Sequence, residues 1–280
     1  MTKKILNKRN EKARRVFDSH IHIHFEFDRS VEQAKELGLN YSPQGLIKDM
    51  KRHNIEKALI MGTFSNKYAR DFAQKYAPHF LAAATLNPVS INPKEFDFVK
   101  SCLSNKEFSG IKMYPGYIKF YPYEKKCDRI YKLAMKYDVP VVFHSGDPAF
   151  PGAPVKYCHP IHLDDVACKF PDLKIIIAHL GFPWITDTME VIIKNPNAYS
   201  DISGLFAGGE SPYKEKMKAR LRTKIEDIVY SGGGDKLLFG TDYALASHDE
   251  YIKFAKGLKI SSEDLDKLLF SNAAKLFPLK

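Results

Sequence analysis

Phe17-Asp18-Ser19-His20-Ile21-His22-Ile23-His24 sets one carboxylate and three imidazoles on alternate residues, so an extended backbone projects all four from one face. Imidazoles withdrawn from water need partners, and a divalent cation satisfies several of them at once. Two more histidines and an aspartate share a second pattern. Val141-Val142-Phe143-His144 is an apolar run that ends on an imidazole before the turn Ser145-Gly146-Asp147-Pro148. Ile175-Ile176-Ile177-Ala178-His179 repeats the plan before Leu180-Gly181, and Leu237-Leu238-Phe239-Gly240-Thr241-Asp242 repeats it with a carboxylate. A fold that gathers the ends of these runs brings His20, His22, His144, His179 and Asp242 together. Such imidazole and carboxylate donors suit zinc, and also manganese, iron or cobalt, and the lack of nearby thiolates argues against a closed structural zinc site. An ion with an open position lowers the pKa of its water to about 7 and so provides a nucleophile at neutral pH.

The elements that must position these groups alternate, β then α, along the chain. Strands are predicted near Val16 to His22, Ala58 to Met61, Phe80 to Leu86, Gly110 to Met113, Val139 to His144, Lys174 to His179, Ala198 to Ile202 and Lys236 to Gly240. Between them, spacings such as Leu46-Ile47 to Met50, Phe72 to Tyr76, Phe96 to Leu103, Ile130 to Tyr137 and Val166 to Phe170 fit amphipathic helices packed on a sheet. Eight such units close into an α/β fold of the (β/α)8 TIM-barrel kind, in which all strand carboxyl ends surround one mouth. A length of 280 residues fits one such barrel, and no linker or close repeat divides it. An open doubly wound sheet is the alternative, weakened because no glycine-rich dinucleotide fingerprint follows the first strand.

Composition narrows the classes further. At 44% hydrophobic the chain can bury a large core, yet no apolar run approaches the roughly 18 residues of a membrane span. Nothing at the amino terminus reads as a secretory signal, and Cys102, Cys127, Cys158 and Cys168 lack close paired spacing, so free thiols and a cytoplasmic location are expected. The net charge of +10 is uneven. Lys3, Lys4, Lys8, Arg9, Lys12, Arg14 and Arg15 face only Glu11, a net of +6 that leaves +4 for the rest. Residues 1–15 are therefore expected to be a flexible basic extension and 16–280 the barrel domain, with no nucleic-acid partner.

At the level of phrases, the chain resembles the amidohydrolase superfamily, specifically the amidohydrolase-2 branch of aminocarboxymuconate-semialdehyde decarboxylase-like enzymes. The resemblance rests on Phe17 to His22, Gly110-Ile111-Lys112-Met113-Tyr114-Pro115, Pro140 to Gly146, His159-Pro160 followed by Phe170 to Gly181, Phe239-Gly240-Thr241-Asp242 and the terminal Asn272-Ala273-Ala274-Lys275-Leu276-Phe277. It implies one divalent metal, Zn2+ first and Mn2+, Fe2+ or Co2+ as alternatives, held by His20, His22, His144 and Asp242 with His179 beside it. Asp242 is expected to move a proton as well as to ligate, and His179 to polarise the substrate. Some relatives in the superfamily carry a carboxylated lysine at the fourth strand that bridges two metals. Here Lys112 is instead read as a cation for a substrate carboxylate.

Tyr114, His159 and Trp184 are expected to line the substrate pocket, with His24 beside it and Ser203 reaching the mouth. His53, His79, His162 and His248 lie in polar or helical settings and are expected to be solvated or capping. The favoured activity is hydrolysis of an amide, lactone or related carbonyl linkage in a small molecule, and the alternative is non-oxidative decarboxylation of an unsaturated or aromatic acid. Lysines and tyrosines outnumber arginines in the predicted mouth loops, which tilts the choice toward hydrolysis. A metal-dependent deoxyribonuclease with a similar first strand would supply glutamate where this chain has Lys112, and a non-catalytic binding barrel would not need intact ligands. A homodimer is the expected assembly.

Overall fold

Short parallel strands, each buried on both faces, form the centre of the protein. The computed structural model describes residues 14–25, 28–62, 65–206 and 211–277. The strands are β1 (Val16–Ile21), β2 (Ile55–Met61), β3 (Phe80–Thr85), β4 (Gly110–Met113), β5 (Val141–Phe143), β6 (Ile175–Ile177), β7 (Ala198–Asp201) and β8 (Leu237–Leu238). They pair in sequence order, all parallel. The last strand meets the first through backbone bonds: Ser19 N donates to Phe239 O at 2.9 Å, Asp242 N to His20 O at 2.9 Å and His22 N to Tyr243 O at 2.8 Å. Helices fill the connections, so the chain is a single-domain (β/α)8 barrel, closed at its mouth by the backbone that carries His20 and Asp242.

Strand periodicity sorts the core into two clusters. Phe17, Leu59, Met61, Ala83, Val142, Ile176 and Leu238 pack with one another and with Phe270 and Phe277. Their strand neighbours Ile60, Ala82, Val141, Phe143, Ile175, Ile177 and Leu237 belong to the cluster shared with the helices. The first set therefore fills the barrel and the second its outer surface, as alternating side chains require. Strand β1 breaks the alternation with a register shift between Asp18 and Ile21, and the strand ends at Ile21, so His22 and His24 leave it in the following loop.

The helices begin where local chemistry starts them. Ser42 accepts from Gly45 N ahead of Pro43–Arg52, Ser65 from Tyr68 N ahead of Asn66–Lys75, and Asn92 from Lys94 N ahead of Pro93–Ser104; two of the three open on proline. Each buries an apolar face, such as Leu46 and Met50 or Ala69, Phe72 and Ala73. Of the basic lead-in, residues 1–13 lie outside the described residues. Arg14 is tied to Asp266 and Ser262, and Arg15 to Glu56 at 2.6 Å. Among the described residues no helix is long and apolar enough to cross a membrane. The four cysteines are free thiols.

Candidate metal centre and active site

Backbone conformations that side chains disfavour occur at the mouth, at His179 and Leu180 after β6 and at Asp242 after β8. His179 after β6 and Asp242 after β8 have φ of 62° and 61°. Left-handed backbone costs a non-glycine residue about 1–2 kcal/mol, and specific bonds hold it here. His179 N donates to Asp201 Oδ1 at 3.0 Å, and Asp242 N donates to His20 O. Both side chains are thereby turned into the mouth. The loop after β7 lies against them: a Cβ on Gly204 would stand 2.7 Å from His179 Nδ1 and 3.1 Å from Asp242 Oδ2. Only glycine allows that approach.

Candidate ligand atoms of His20, His22 and Asp242 lie within 4.8 Å of one another. His22 Nε2 is 3.1 Å and His20 Nε2 3.7 Å from Asp242 Oδ1. His144 stands beside this group, packed between the rings of His179 at 5.2 Å and Tyr117 at 4.7 Å. Asp201, at the end of β7, is the residue that orders the centre and that sequence reading passed over. Its buried carboxylate accepts from His20 Nδ1 at 2.9 Å, from the amides of His179 and Ser203 at 3.0 Å each, and from the Ser203 hydroxyl. With Nδ1–H so engaged, His20 presents its Nε2 lone pair inward. His179 does likewise, because its Nδ1–H donates to Ser203 O at 3.2 Å. Ser203 is thus buried beneath His179.

Charge states follow from burial. Desolvation, helped by the Lys112 charge, lowers the His20 pKa to about 3, and burial likewise holds His144 and His179 neutral at physiological pH. Burial alone would raise the carboxyls of Asp242 and Asp201. For Asp242 the adjacent His22, His20 and His179 rings outweigh it; for Asp201 it is His20, His179 and the Ser203 hydroxyl. Both remain ionised well below the usual carboxylate range. Neutral imidazoles and an ionised carboxylate are the forms that ligate a divalent ion.

Two atoms test whether the set fits a metal. His144 Nε2 and Asp242 Oδ1 are buried without hydrogen-bond partners, the latter despite its closeness to His22. Orphaned buried donors and acceptors cost about 1–3 kcal/mol each, and a cation between them removes that cost. The residues fit.

Above the centre opens a cavity of 670 Å³ with mostly apolar walls, among them Tyr114, Tyr117, Ile118, Leu205, Phe206 and Tyr243. Lys112 is its one lysine or arginine among the described residues. It is buried on β4, its Nζ 3.5 Å from His20 Nε2, and desolvation lowers its pKa to about 8. His24 and Tyr114 also line the cavity. His159 and Trp184 do not: their rings pack on each other at 4.6 Å outside it. A correction applies to His248 as well, which is wholly buried rather than solvated, because Asp49 and Asp18 flank its ring.

Residues 17–279 match the family model described as amidohydrolase. The γ-resorcylate decarboxylase of Polaromonas sp. strain JS666 is 28% identical over 117 residues, 40% of this chain and 36% of that protein, so the match spans about a third of that relative's length. Among solved structures, a dihydroxybenzoic acid decarboxylase from Polaromonas sp. JS666 with bound manganese and 2-nitroresorcinol superposes with a TM-score of 0.70 at 17% identity, covering 95% of this chain and 97% of that one. A probable 2-pyrone-4,6-dicarboxylic acid hydrolase from Acinetobacter baumannii superposes equally, at 0.70 and 16% identity, covering 94% and 98%. At such identities the structures show a shared fold.

Proposed function

We propose that this chain, which belongs to the amidohydrolase family and to its amidohydrolase-2 branch, is a divalent-metal-dependent decarboxylase of a hydroxylated aromatic carboxylic acid. The observation that carries this reading is the pairing of a buried donor set, with His144 Nε2 and Asp242 Oδ1 left partnerless, and an apolar cavity holding the one cation Lys112. The decarboxylases named above support it, and manganese in one of them makes Mn2+ as well as Zn2+ a candidate. Scarce arginines count little against decarboxylation, because a single carboxylate needs only Lys112 and the ion. A pyrone dicarboxylate carries two carboxylates and would find no second lysine or arginine among the described residues of this cavity.

The ion, when bound by His20, His22, His144 and Asp242, supplies Lewis-acid polarisation of substrate oxygens. Lys112 anchors the carboxylate, and the apolar walls stack on the ring and exclude water. Low polarity favours a carboxylate that leaves as neutral carbon dioxide. Asp242 relays the phenolic proton to the ring carbon that bears the carboxylate. The carbon–carbon bond then breaks, its electron pair returns to the ring as phenolate, and the phenolate regains a proton from solvent. Neutral His179, oriented by Ser203, faces the same space and can donate no proton from Nδ1, which is engaged; its Nε2 is left to accept one.

Manganese-loaded protein incubated with 2,6-dihydroxybenzoate, and separately with 2-pyrone-4,6-dicarboxylate, tests the reading. Release of carbon dioxide from the hydroxybenzoate is expected. Opening of the lactone without any carbon dioxide would instead establish hydrolysis.

A further inference from the structure

His248 opens the helix His248–Lys256 that follows β8, and its ring is wholly buried. Nδ1 lies 2.6 Å from Asp49 Oδ2, in the helix Pro43–Arg52, and Nε2 lies 3.3 Å from Asp18 Oδ2, in β1. The ring is stacked flat on Tyr243, 4.7 Å between centroids and 9° between planes. Neither His248, Asp49 nor Asp18 lines the cavity. Their arrangement nonetheless leads to the metal centre within two bonds. The Asp18 carboxylate accepts from the amide of His20 at 3.1 Å, from the amide of Thr241 at 3.1 Å and from the Thr241 hydroxyl at 2.6 Å. That hydroxyl in turn accepts from Tyr243 N at 3.1 Å. Asp242 is therefore bracketed on both sides by residues tied to Asp18, and His20 is tied to it directly.

We infer that His248 is a positioning residue: clamped between Asp49 and Asp18, it neutralises the buried Asp18 carboxylate, whose hydrogen bonds fix the spacing of His20 on the first strand and Asp242 after the last. The inference rests on the metal-centre reading above. A buried carboxylate left without a counter-charge is costly, and the bonds it makes to the two amides loosen with it. Burial alone would leave His248 neutral, but the bonds and charges of Asp18 and Asp49 outweigh it and raise its pKa to about 9. The ring then donates from Nδ1 to Asp49 and holds its positive charge beside the Asp18 carboxylate at neutral pH.

The experiment compares full-length parent, His248→Gln and Asp49→Asn, each titrated with cobalt(II) chloride against a competing chelator at 25 °C. The visible absorption band of the bound cobalt is recorded alongside. Loss of a group that orients a ligand typically weakens metal binding by about 10–100-fold. His248→Gln is expected to fall in that range with a displaced cobalt band, and Asp49→Asn to weaken binding several-fold. A purely structural role would lower the melting temperature and leave cobalt affinity and spectrum at parent values, which overturns the inference. If His248→Gln does not fold, Asp49→Asn decides the matter, and parent-like cobalt binding there is equally fatal. Failure of the parent itself to bind cobalt marks the different case in which the metal-centre reading is wrong.

Discussion

Asp201→Asn keeps the shape of the side chain and reverses one hydrogen bond. In the parent, Asp201 Oδ2 accepts from His20 Nδ1 while Oδ1 accepts from two amides and the Ser203 hydroxyl. An asparagine satisfies the amides only with its oxygen on the Oδ1 side. Its NH2 group then faces His20 Nδ1, donor against donor. His20 relieves the clash by moving its proton to Nε2, the nitrogen 3.7 Å from Asp242 Oδ1 that is needed as a ligand. The lost charge-assisted bond is worth about 1.5–3 kcal/mol, which matches the roughly 10–100-fold loss in metal affinity typical of such partners. Chelator competition with manganese should find a weakening in that range. Stability carries a second signature. The Asp201 pKa is depressed on folding, so its contribution is complete above the unfolded carboxyl value near about 4 and fades as pH falls toward the folded value. Acid unfolding of the variant should lose that part of its pH dependence. Metal affinity within twofold of the parent would refute the tautomer reasoning.

Gly204→Ala forces a Cβ against His179 and Asp242 at positive φ, costing about 1–2 kcal/mol for the backbone and about 1–3 kcal/mol for overpacking; a melting temperature equal to the parent's would contradict the close approach of this loop. Lys112→Met should raise KM for a hydroxybenzoate by about 10–100-fold, the equivalent of one charged hydrogen bond, with metal content unchanged; loss of metal in elemental analysis would instead make Lys112 a ligand. The raised pKa of His248 stabilises the fold fully below about 6.5 and ceases to do so as pH rises through about 9, an effect of order 3 kcal/mol. Melting curves between pH 6 and 10 should show that decline in the parent and a shallower one in Asp49→Asn, and equal slopes would remove Asp49 from the pair.

The barrel was legible because its strands are largely buried on both faces and so appear as apolar runs, several of them closed by a polar residue at the mouth. That rule located His144, His179, Lys112 and Asp242 without any long-range information. Asp201 obeys it too, inside the predicted strand Ala198 to Ile202, but the neighbouring Ser203 drew the reading as the mouth-facing residue of that strand. His248 was misjudged for a different reason: its partners Asp49 and Asp18 lie at the far end of the chain, and no local pattern encodes the pairing. His159 and Trp184, both expected to line the substrate pocket, pack on each other instead of facing the cavity, since loop direction depends on tertiary contacts. The positive φ at His179 and Asp242 was equally hidden, because no glycine marks either position. Counting arginines says little about the choice of reaction, because the described lining of the cavity carries one buried lysine among apolar walls.

Anomalous diffraction at the manganese edge, from crystals of the manganese-loaded protein, is the most direct check on the centre. A single peak contacting His20, His22, His144 and Asp242, on the cavity side of Lys112, is the predicted result. No peak at the barrel mouth, or a pair of peaks bridged by Lys112, would contradict the account.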